Sequence, residues 1–207
     1  MARKTEEDLI EDAMKTFAEH EIRSRSDTSV LICRRHKDGG WTSDYAMEIV
    51  SGALGYLILT GDMDTVLFAY CKGSLREKLQ WIGKDQPSLG YISQKASIGM
   101  NESHRLARSF SPEVAAEIVE DQAQTMSADG EHEVAAALRE AIEFDLPEDE
   151  YSLRPFLEKL EEAGLSDVGE LASSFYVTAP RVVYAWAACR RARQLLDAAD
   201  AASEASG

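Results

Sequence analysis

Asp62 and Asp64 are the carboxylate pair in this sequence best placed to do chemistry. They sit in Gly61-Asp62-Met63-Asp64, between two apolar runs, and two carboxylates on one turn can hold a divalent cation or exchange protons. The pair lacks the longer series of oxygen ligands that an EF-hand uses, and Gly61-Asp62 is also ordinary turn chemistry. A small metal-assisted enzyme built on Asp62 and Asp64 therefore needs another acidic group, such as Asp44 or Glu48, to converge from a neighbouring strand. His20, His36, His104 and His132 have no metal-ligand spacing, and Cys33, Cys71 and Cys189 form no CxxC arrangement. Gly52, Gly55 and Gly61 make neither a dinucleotide-binding nor a Walker pattern, and there is no GxSxG elbow. No motif requires a cofactor, and the residues assign no metal.

Two basic clusters stand out. Arg34, Arg35 and Lys37 flank His36, and Arg190, Arg191 and Arg193 fall near the end of a helical pattern. An accessory protein that binds nucleic acid could use the first cluster. The formal net charge of −15 works against direct contact with a phosphate backbone, which needs concentrated Lys and Arg.

The charge is segregated. Residues 112–179 contain eighteen acidic and three basic residues, whereas residues 1–111 sum to −1 and residues 180–207 to +1. Glu113, Glu117, Glu120 and Asp121 share a predicted helix; Glu140, Glu143, Glu148, Asp149 and Glu150 continue the acidity; Glu158, Glu161 and Glu162 lie opposite the apolar residues of a later helix. Apolar residues recur between these charges at helical spacing, which distinguishes the segment from a disordered acidic tail. Two readings stay open. The carboxylates form a solvated face that maintains solubility, or they form a protein-binding surface that enters a basic groove and imitates nucleic acid there.

Several elements must position these groups. Leu9, Ile10, Ala13, Met14 and Phe17 predict a helix over about residues 5–21. Strands are predicted at 30–35, 45–50, 54–59 and 66–71, with the central hairpin at 53–71. Residues 91–93 read as a further short strand and 101–110 as a helix, while Trp41, after Asp38-Gly39-Gly40, reads as an exposed aromatic. From Ser111-Pro112-Glu113 onward the pattern is helical, and Pro180 opens the last long helix. The fold class is α+β: an antiparallel four-stranded meander with an N-terminal helix and a predominantly helical C-terminal half. Residues 1–111 form the mixed region, 112–197 the helical region and 198–207 a flexible tail. The sparse cysteines fit a reducing compartment, residues 1–30 show no signal-peptide core, and no run approaches the roughly 20 apolar residues of a membrane span.

Tyr45-Ala46-Met47-Glu48-Ile49, Leu57-Ile58-Leu59-Thr60-Gly61-Asp62 and Val66-Leu67-Phe68 together resemble uncharacterised proteins encoded by bacteriophages. The resemblance covers about 30 residues of the predicted sheet and leaves the acidic segment outside. It implies a viral accessory protein in the host cytoplasm, such as a host-defence inhibitor of the anti-CRISPR kind. With the charge pattern, the expected partner is a basic host protein, a nucleic-acid-binding defence component, and the sheet orients the acidic surface or forms a homodimer.

Overall fold

The structure is a computed structural model, and it describes residues 6–62, 65–69, 71–85, 88–98 and 107–205. Chain contacts divide it into two units. Unit 1 comprises Met1–Ala107 with Thr178–Gly207, and unit 2, Arg108–Val177, is inserted between them.

Unit 1 is built on a six-stranded antiparallel sheet whose strands follow chain order: β1 (His20–Arg25), β2 (Ser29–Arg34), β3 (Met47–Gly52), β4 (Tyr56–Gly61), β5 (Val66–Phe68) and β6 (Ala96–Ile98). The α+β class and the antiparallel meander are as the sequence predicts, and the four predicted strands are β2 to β5. The meander has two strands more than expected. β1 replaces the end of the predicted N-terminal helix, because the helical stripe of α1 (Glu6–Phe17) stops at Phe17. From there His20 and Ile22 turn inward at the period of a strand. The strand predicted at 91–93 is instead helix α3 (Leu89–Lys95), with Leu89 and Ile92 buried one turn apart, and β6 follows it directly.

Alternate residues of the inner strands enter one core. Val30, Ile32, Met47, Ile49, Leu57, Leu59, Val66 and Phe68 are buried. The same cluster takes in Ala13 and Phe17 of α1, Leu79 and Ile82 of α2 (Leu75–Ile82) and Val183, Trp186 and Cys189 of α8 (Pro180–Glu204). The helical pattern groups residues 180–197 with the acidic helices, but in the fold α8 belongs with the sheet. Its near-continuous small and apolar run from Val182 to Ala192 is buried there. The tail predicted at 198–207 is helical through Glu204, and Arg76 of α2 forms ion pairs with Asp197 and Asp200. The edge strand β1 exposes Glu21, Arg23 and Arg25 and carries an irregularity between Ile22 and Ser24. Charge and a bulge on an edge both oppose pairing with another sheet.

In unit 2, β7 (Arg108–Phe110) pairs with β8 (Tyr176–Thr178). The helix predicted at 101–110 is therefore a strand over its last three residues, and 101–106 lie outside the described residues. Four helices follow β7: α4 (Pro112–Ala128), α5 (His132–Asp145), α6 (Leu153–Glu162) and α7 (Val168–Ala172). Ala115, Val119 and Ala123 of α4 form a stripe of small side chains in one core with Ala135, Leu138 and Ala141 of α5 and with Phe156 and Leu160 of α6.

Candidate functional site

The helices of unit 2 set their carboxylates outward for a simple reason. On α4 the buried positions recur every four residues, at 115, 119 and 123, and Glu113, Glu117 and Asp121 lie about half a turn away on the exposed side. Ser111 caps this helix by accepting a hydrogen bond from the Val114 N–H at 3.3 Å, and Pro112 occupies its first turn. Eleven of the twelve predicted site residues are exposed: Glu113, Glu117, Asp121, Glu140, Glu143, Glu148, Asp149, Glu150, Glu158, Glu161 and Glu162. The twelfth, Glu120, is half-buried because it turns toward α5, where Arg139 Nη2 donates to it at 3.1 Å. Arg139 holds the Glu120 carboxyl below its ordinary pKa.

The twelve residues are not chemically equivalent. Glu158 pairs with Arg154 at 3.0 Å and Glu162 with Lys159 at 3.6 Å, both exposed helix pairs of the weak kind. Glu150 accepts a hydrogen bond from the Tyr176 hydroxyl at 3.1 Å, and Glu113 accepts one from Ser111 at 2.8 Å. Asp149 caps the 3-10 turn Glu150–Ser152, accepting the Tyr151 and Ser152 N–H groups at 3.0 Å each. These bonds, those from Ser152 foremost, hold its carboxyl below the usual range. Asp121, Glu140, Glu143, Glu148 and Glu161 make no ion pair or side-chain hydrogen bond among the described residues. The cations of unit 2 are already engaged: Arg139, Arg154 and Lys159 in the pairs above, and Arg108 with the Tyr176 carbonyl at 2.7 Å. With eighteen acidic and four basic residues, unit 2 carries a formal charge of −14.

Between α5 and α6 the acidic surface contains an open groove of about 590 Å³. Phe144 and Tyr151 line it and are 70% and 95% exposed, far beyond what a folded chain needs of two large aromatics. Sequence reasoning overlooked both. Tyr151 stands alone in Glu148-Asp149-Glu150-Tyr151, and Phe144 falls outside the apolar face of α5, which are the signals that mark them.

Unit 1 places the other candidates in structural roles. The Asp62 carboxylate accepts the Tyr45 N–H at 3.0 Å, and Tyr45 adopts a left-handed backbone with φ of 55°. Asp62 thus braces a strained residue in the loop between β2 and β3. Asp64 lies outside the described residues, and no three potential ligands converge among those described. Arg34 donates to the Thr16 carbonyl at 3.2 Å and approaches Glu19; Arg35 pairs with Glu21 at 2.8 Å and lies 4.6 Å from the centroid of the Trp41 ring. Among the described residues, Lys37 is the one member of this basic cluster that stands exposed without such a partner, and Trp41 is half-buried where an exposed aromatic is predicted. Cys33, Cys71 and Cys189 are all buried, and burial pushes the Cys71 thiol up to about 11, which makes it a poor nucleophile at neutral pH.

His20 is a buried titratable group of unit 1 that can change charge near neutral pH. It is fully buried; its Nε2–H donates to the Tyr45 carbonyl at 3.1 Å, and its Nδ1 has no partner among the described residues. Burial lowers its pKa, the Tyr45 carbonyl opposes this, and Arg34 and Arg191 lower it further against a smaller pull from Glu19. Folding therefore favours the neutral ring. The associated stability is fully present above the unfolded-state pKa of about 6.5 and is lost as pH falls from there through the lower folded-state value. The thermal midpoint of unit 1 should drop as pH falls below about 6.5, and His20→Gln, which keeps a donor but does not titrate, should flatten that part of the drop. Equal pH dependence in the two proteins would remove His20 from the account.

No family model, curated protein or solved structure matches this chain. Among the described residues, no helix is long and apolar enough to cross a membrane.

Proposed function

We propose that unit 2 is a protein-docking surface that binds a basic, nucleic-acid-binding protein and occupies the face which that protein offers to nucleic acid. The observation that carries this reading is the segregation of charge onto folded helices. Nearly half of the chain's 37 acidic residues fall within unit 2, exposed carboxylates recur along α4, α5 and α6, and the few local cations are already engaged. Such a surface attracts a basic groove over long range and repels nucleic acid itself. The resemblance of the sheet to phage-encoded proteins extends the proposal: the partner is a component of host defence, the setting is the host cytoplasm, and unit 1 is the scaffold, alone or as a homodimer.

Immobilised full-length protein should capture a basic partner at roughly 50 mM salt, release it as salt rises toward roughly 0.5 M, and lose it to added double-stranded nucleic acid. Capture that is insensitive to both salt and nucleic acid would contradict the proposal.

A further inference from the structure

The groove between α5 and α6 has a chemistry that the surrounding carboxylates do not explain. Phe144, Leu146, Pro147, Tyr151 and Pro155 give it an apolar lining, and Asp145 and Glu148 line it as well. A solvated acidic face needs no exposed aromatics. An apolar ligand gains nothing from the charge, and a small hydrated cation gains nothing from the rings. One common side chain satisfies both. The arginine guanidinium is planar, always charged and weakly hydrated; it stacks on an aromatic face while its edge donates to a carboxylate. Lysine offers the charge without the plane.

The backbone of the loop that carries Tyr151 is also braced before anything binds. Asp149 caps the 3-10 turn that carries Tyr151, Ser152 returns a hydrogen bond to Asp149 at 3.0 Å, and Pro147 is buried at the base of the loop. Aromatic side chains on a braced loop, with a charged rim, are a usual form of interface anchor, where a few residues carry most of the binding energy.

We propose that this groove seats an arginine side chain of a basic partner protein, with the guanidinium against Tyr151 and Phe144 and its N–H groups on Glu148 and Asp145. The inference rests on the reading of unit 2 as an acidic docking surface and adds an anchor to it. The charge complementarity is that of the −14 unit as a whole; the aromatic rings supply the selectivity for arginine.

Nona-arginine and nona-lysine peptides, titrated onto the full-length chain at roughly 150 mM salt, separate the two claims. Nona-arginine should bind about tenfold more tightly than nona-lysine. In the double variant Phe144→Ser, Tyr151→Ser that advantage should disappear while lysine binding stays unchanged. The exchange Phe144→Tyr, Tyr151→Phe should preserve it. Both residues are mainly solvent-facing, so the variants should keep the wild-type melting profile. If the arginine advantage survives the serine variant, the groove is not the anchor and the acidic surface stands. If neither peptide binds wild-type protein, the anchor and the docking surface fall together.

Discussion

Replacing Lys78 by alanine is expected to destabilise unit 1 by about 3–5 kcal/mol. Lys78 is 2% exposed, and its Nζ donates to Ser51 Oγ at 2.9 Å, to the Gly52 carbonyl at 2.8 Å and to the Tyr56 carbonyl at 3.1 Å. Three donors meet three acceptors, so one side chain from α2 fastens the helix to the turn between β3 and β4. Truncation removes one donor from each of these oxygens and opens a void beneath the turn. Lys78→Met fills the void but not the hydrogen bonds, so it should recover only part of the loss. All three tryptophans, Trp41, Trp81 and Trp186, lie in unit 1, so denaturant unfolding followed by tryptophan fluorescence reads that unit selectively. A change below about 1 kcal/mol would mean that the clamp adds little beyond an ordinary surface contact.

Gly61→Ala is expected to be comparably severe, at about 3 kcal/mol or more. A Cβ at position 61 would overlap the Ala46 carbonyl oxygen and crowd the Met47 sulfur at 3.1 Å. The obstruction is backbone, so it cannot be relieved by turning a side chain. It also falls beside the Asp62–Tyr45 bond, so the loop between β2 and β3 should loosen with the strand. The same fluorescence assay should show an earlier transition, and wild-type stability would show that β4 can move away from Ala46 at little cost.

Gly61 shows how much of this fold is legible in the chain. A turn glycine next to aspartate is an obvious mark of a reversal, and the hairpin it predicts is present as β4 and β5. The reason for glycine is the approach of Ala46, fifteen residues earlier and just ahead of β3, which only the assembled sheet reveals. Inner strands are readable because every second residue enters a core: Met47 with Ile49, and Leu57 with Leu59. β1 is hidden because an edge strand is supposed to be polar, and His20-Glu21-Ile22-Arg23 looks like the fraying end of a helix. Helical patterning joins α8 to the helices before it, whereas its small buried residues place it against the sheet.

The candidate site divides in the same way. Segregated acidity and helical spacing are properties of the sequence and can be counted. Which carboxylates remain available is decided by their partners in space. Asp149 contributes charge to the densest acidic run, but in the fold it is a cap, so reversing it would disturb the loop as well as the surface. Lys78 sits in Leu75-Arg76-Glu77-Lys78, an ordinary-looking solvent face, and is buried because three oxygens from the β3–β4 turn converge on it. Phe144 and Tyr151 look like core residues by type, and their place off the apolar stripe and among acidic residues is what marks them as exposed.

The docking surface is tested most directly by neutralising only its available carboxylates. The variant Asp121→Asn, Glu140→Gln, Glu143→Gln, Glu148→Gln, Glu161→Gln leaves the Arg139 pair and the Asp149 cap in place, so unit 2 should keep its fold. Its affinity for the basic protein recovered on the wild-type chain should fall by about a hundredfold at roughly 50 mM salt, and the steep salt dependence should flatten. An unchanged affinity and salt slope in a folded variant would contradict the acidic surface as the element that binds.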